Sequence, residues 1–101
     1  MMEKYRVFTG DNFHMYDEDE VDDYSGAYVN REDALRAAKL IVDKSLRWER
    51  KQCKNPADPD ELYDRYTDFG DSPVIRPDAE SPFSAWQYAK SRCADICHEP
   101  V

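Results

Sequence analysis

The sequence predicts an α+β fold, with a two- to three-stranded antiparallel sheet packed against a long central helix and two shorter helices. Three observations predict it. Residues 30–54 carry small and apolar side chains at steps of three, four and seven, the period of one helix face. Upstream, residues 5–9 and 24–29 are rich in aromatic and β-branched side chains that alternate, as in half-buried strands. Downstream, two shorter helical patterns each follow a capping residue and a proline signal.

The long helix opens at Asn30, whose side-chain oxygen suits an N-cap. Glu32 and Asp33 then place negative charge at the positive end of the helix dipole. The predicted buried face holds Ala34, Ala38, Ile41, Ser45 and Trp48, with Leu35, Val42 and Leu46 alongside. The opposite face holds Arg36, Lys39, Asp43, Lys44, Arg47, Arg50 and Lys51. Asn55-Pro56 ends it, because a residue before proline avoids the α region.

The first strand, residues 5–9, should run into a turn or bulge at Gly10-Asp11-Asn12. Residues 17–23 form a loop with six carboxylates. The second strand, residues 24–29, then completes an antiparallel hairpin, and the long helix folds back over one sheet face. Asp58 caps a second helix with Pro59 at its first position and Glu61 placed for a capping box. Leu62, Tyr63, Tyr66 and Phe69 make its buried stripe, and Gly70 ends it. Residues 73–77 are extended between prolines, as an edge strand or an ordered loop. Ser81-Pro82 or Ser84 opens the last helix, with Ala85, Trp86, Ala89, Cys93, Ile96 and Cys97 on its apolar face.

A chain of 101 residues fits a single domain, residues 1–101, with one modest core. The aromatic content of 13% argues against disorder. No apolar run is long enough to span a membrane, the first residues lack a signal-peptide core, and an odd cysteine count gives no disulfide framework. The expectation is a cytoplasmic protein with reduced thiols and no membrane contact. Charge is segregated: residues 31–54 hold eight Lys/Arg against four Asp/Glu, inside a chain of net charge −8. Such a stripe is ordinarily solvated or paired within the molecule. The negative total repels nucleic acid, so the stripe argues for protein contacts instead.

Four constellations invite chemistry. The acidic loop places Asp17 and Asp19 at EF-hand positions one and three, but Val21, Asp22 and Tyr28 break positions five, six and twelve. His14 stands near Asp11 and Asp17, and a histidine beside carboxylates serves a metal or acts as a general base. Cys93, Cys97 and His98 cluster at the last helix without the paired spacing of a zinc site. Arg36 and Arg47 mark the basic face of the long helix as a contact surface. With only three glycines, phosphate-cradling loops are excluded, and no cofactor motif is present.

Residues 5–20, 30–46, 61–75 and 83–93 together resemble a family of short, acidic bacterial proteins built of a hairpin followed by helices. That family has no established activity, so the resemblance implies a bacterial origin and a compact domain and carries over no functional residue. The leading expectation is a non-catalytic binding or adaptor domain for a protein partner or for a second copy of itself. The rival is a divalent-metal or enzymatic site at His14 and residues 17–23.

Overall fold

The computed structural model describes residues 5–11, 23–76 and 83–99. Strands β1 (Tyr5–Asp11) and β2 (Asp23–Tyr28) precede helix α1 (Arg31–Arg50), helix α2 (Pro59–Phe69), strand β3 (Asp71–Arg76) and helix α3 (Ala85–Cys97). The predicted α+β architecture is present, and the third strand is real.

The sheet has the order β2-β1-β3 with both pairings antiparallel, so β1 is central. Val7 faces Gly26 on one side and Ile75 on the other. β3 is an edge, which tolerates the missing N–H of Pro73. The expected break at Gly10-Asp11 does not occur, because β3 supplies partners: Gly10 pairs with Ser72 and Asp11 with Asp71. The irregularity falls opposite, where the register skips Ser25 between the Val7–Gly26 and Phe8–Tyr24 pairs.

α1 divides its buried face between two clusters. Its first half offers Ala34 and Ala38 to Val7 and Ile75, and these small side chains let the sheet approach closely. Its second half packs Val42 and Leu46 against Leu62 and Tyr66 of α2 and Ala85, Ala89, Cys93, Ile96 and Cys97 of α3. Asn30 caps as expected, accepting from the Asp33 N–H at 2.9 Å. The helix stops at Arg50, about one turn before Lys54, and the chain turns through Cys53, whose N–H donates to the Arg50 carbonyl.

The buried arc of α1 is rotated from the predicted one. Trp48 is 61% exposed, whereas Asp43 and Glu49 are buried. On α2, Leu62 and Tyr66 are fully buried but Phe69 is 45% exposed. The reason is that α1 is wrapped by the sheet, α2 and α3 together. The centre of its contact arc thereby moves away from Trp48 and toward Glu49.

The caps of the shorter helices follow the sequence, with one change. Asp58 accepts from the Asp60 N–H at 3.0 Å, and Ser84 accepts from the Gln87 N–H at 3.3 Å. Glu61 does not close a capping box, because the Asp58 N–H already donates to the Asn55 carbonyl. Its carboxylate instead accepts the N–H groups of Lys54 and Asn55 at 2.6 and 2.9 Å, fastening the α1–α2 connection.

Gly70 caps α2 in an extended conformation (φ −75°, ψ 169°), so it is not chosen for a left-handed φ. Its reason is space. A Cβ there would run into the Tyr66 ring and lie 2.8 Å from the Tyr66 carbonyl oxygen. Tyr66 cannot yield easily, since its hydroxyl donates to the Asp71 carbonyl at 2.8 Å. Gly70→Ala is therefore expected to destabilise the fold by about 2 kcal/mol through overpacking. Urea unfolding measures it, and a midpoint equal to that of the parent chain would show that the junction gives way.

Candidate interaction groove

The residues singled out by sequence do not converge. His14, Asp17 and Asp19 lie outside the described residues, as does most of the acidic loop. Asp11 is placed as the last residue of β1, opposite Asp71. Arg36 and Arg47 are three turns apart on α1, about 16 Å along its axis. Each is engaged within the chain. Arg36 meets Asp33 at 3.4 Å, and Arg47 makes a two-pronged contact with Glu99, both bonds 2.8 Å. Those bonds hold the Glu99 carboxyl below the usual carboxylate range and raise Arg47 in return.

Much of the basic stripe is used in the same way. The Arg50 guanidinium donates to the carbonyls of Pro56 and Cys97 at 3.1 and 3.0 Å, tying α1 to the following turn and to the end of α3. Asp43, assigned by sequence to the solvated face, accepts from the Tyr88 hydroxyl at 3.1 Å and from Arg92 Nε at 3.2 Å. Burial first, and the Asp43 charge second, push the Tyr88 hydroxyl up. Lys39 stands 5.6 Å from the Tyr88 ring. This half-buried polar seam holds α3 to α1.

All three cysteines are free thiols. Burial pushes Cys93 up to about 12 and also raises Cys53 and Cys97. Raised thiols are the less reactive ones, so these three read as packed side chains and not as activated nucleophiles. Among the described residues, no group of three His, Cys, Asp or Glu side chains is placed to hold a metal ion. No described helix is long and apolar enough to cross a membrane.

A groove of about 410 Å³ lies where α1 passes the end of α2 and the start of β3. Ile41, Lys44, Ser45, Trp48 and Glu49 of α1 line it, with Phe69 and Asp71 across from them. Ser45 is buried and accepts the Asp71 N–H at 2.9 Å, which fixes the edge of β3 against α1. Glu49 is 4% exposed and faces Arg65 of α2, with Nε 3.4 Å from Oε1. Both exposed rings already meet cations of their own chain. Lys51 Nζ lies 5.9 Å from the Trp48 ring centre, and the Arg65 guanidinium lies 5.3 Å from that of Phe69. The lining thus gathers two large rings, two carboxylates and an ammonium, with Lys51 and Arg65 already set against the rings and Glu49 facing Arg65.

Sequence reasoning missed this groove because Trp48 and Phe69 sit at helical spacing and count as core. One signal was present. Glu49 falls four residues after Ser45 and three after Leu46, inside the apolar arc. A carboxylate at such a position demands a partner.

No family model, curated protein or solved structure matches the chain. The resemblance to short bacterial proteins therefore gains no support from these comparisons, and neither does the bacterial origin it implied.

Proposed function

We propose that the protein is a small non-catalytic binding domain that docks a basic partner protein at the groove beside Trp48 and Phe69. The observation that carries this reading is the pair of large rings left 61% and 45% exposed on either side of one concavity. Burying what remains exposed of each ring is worth about 1 kcal/mol, a gain that the fold leaves unused. Exposed aromatic anchors around a concave centre are what protein interfaces employ. The net charge of −8 selects the sign of the partner, since it attracts cationic surfaces and speeds their encounter.

Self-association is the second reading, and the same rings would serve it. Two copies carrying −8 each repel, however, and Arg36 and Arg47 already face Asp33 and Glu99. The test is a titration of labelled basic and acidic peptides of equal length, followed by anisotropy at low and high salt. The basic peptide is expected to bind, more tightly at low salt, while the domain alone sediments as a monomer. Equal indifference to both peptides would remove the reading. A salt-resistant dimer would hand the groove to a second copy.

A further inference from the structure

We propose that Arg6 and Arg76, on the outer face of the sheet and away from the groove, form a site for a phosphate monoester. α1 covers the inner face through Val7 and Ile75. Strand alternation turns the residues on either side of these two outward. Arg6 and Arg76 stand directly opposite one another in the β1–β3 ladder, and both are exposed. The Cβ atoms of such a pair are about 5 Å apart, and two like charges there repel. Among the described residues every other arginine has a partner in the chain, as Arg47 has Glu99 and Arg92 has Asp43. Among those same residues, Arg6 and Arg76 have neither a hydrogen-bonded nor an ion-paired side chain. The two unengaged guanidinium groups are thus the two that the register places side by side.

Charge and geometry select the ligand. Each guanidinium presents a planar fork of donors that matches phosphate oxygens. A phosphate monoester carries a charge of about −1.5 to −2 near neutral pH, which cancels the pair. A lone carboxylate would leave one positive charge over. The next outward pair along the two strands is Phe8 and Val74, both half-buried, so the organic group of the ester meets hydrocarbon beside the arginines. The net charge of −8 disfavours nucleic acid, which would bring many phosphates toward an acidic protein for two cations. The acidic end of the same ladder, the Asp11–Asp71 pair, is about 17 Å from Arg6 along β1. Salt screens charges beyond about 8 Å at physiological ionic strength, so a single phosphate at Arg6 is shielded from that end.

The test titrates phenyl phosphate and benzoate, which share a ring and differ in the anionic head, into the full chain and follows backbone amide shifts. Saturable shifts are expected around Arg6 and Arg76, with phenyl phosphate bound about tenfold more tightly than benzoate and displaced by inorganic phosphate. Arg6→Gln and Arg76→Gln should each weaken phenyl phosphate about tenfold. Neither should lower the urea midpoint, because each removes a like-charge repulsion. Arg36→Gln, on α1, is the control and should leave the affinity unchanged. Asp78 and Glu80, which follow Arg76 in the sequence, lie outside the described residues. Asp78→Asn combined with Glu80→Gln should change the affinity less than about twofold, and a tenfold gain would mean that the chain's own carboxylates occupy the arginines. That gain, equal binding of benzoate, an unchanged affinity in either glutamine variant or shifts that never saturate would each overturn the inference. The groove reading is tested separately by its basic peptide.

Discussion

Leu46→Ala is expected to lower the unfolding free energy by about 3 kcal/mol, within the range for a truncation that leaves a cavity in a core. For a domain of this length that corresponds to roughly 15 °C in Tm. Leu46 is fully buried where α1 meets α2 and α3, packed in one cluster with Leu62, Tyr66, Cys93 and Ile96. The cost depends on how far neighbours collapse into the vacated space. Collapse is opposed on two sides here. Tyr66 is tethered through its hydroxyl to the Asp71 carbonyl at 2.8 Å. α3 is held to α1 by the Asp43 contacts with Tyr88 and Arg92. Leu40→Ala makes the comparison sharp. Leu40 is on the same helix but 53% exposed, and its loss should cost less than about 0.5 kcal/mol. Urea unfolding of both variants measures the difference at unchanged m-value. Equal midpoints would mean that the contact arc of α1 is misplaced.

What the sequence made legible is what local chemistry decides. The cap at Asn30 and the Asp58-Pro59 start need only neighbours within a few positions and stand where expected, and Ser84 is the one of the two offered starts that caps the last helix. The edge strand was open between strand and loop, because a proline-bracketed segment fits both. Its pairing with β1 settles it. What stayed hidden depends on partners far along the chain. Asp43 looked solvent-facing because Tyr88 and Arg92 are 45 and 49 positions away. Arg47 looked like a contact residue because Glu99 is 52 positions away. Trp48 misled for another reason. An interface anchor and a core residue have the same period and the same polarity, so spacing alone cannot tell which side of a helix finds a covering element. The same limit hid the groove, which needs the end of α2 and the start of β3 brought beside α1.

Arg65→Ala is expected to cost about 2 kcal/mol, and the pattern of its rescue reports on the charge that it leaves behind. The Glu49 side chain is 6% exposed and that of Arg65 is 32% exposed. The pair therefore falls between surface ion pairs, worth about 0–1 kcal/mol, and fully buried ones, whose disruption costs about 3–5 kcal/mol. Removing the arginine takes its cation from a carboxylate that water barely reaches. Removing the glutamate leaves a guanidinium that is already one-third in solvent. The two deletions should thus be unequal, with Glu49→Met costing less than about 1 kcal/mol. Adding Glu49→Met to Arg65→Ala should recover about half of the loss, since the buried charge is gone while the cover that Arg65 gave to Phe69 is still missing. A double-mutant cycle by urea unfolding checks all three values. If Arg65→Ala costs the same with and without Glu49, the arginine acts only by covering Phe69. The carboxylate beneath the groove would then have to be held by something other than α2.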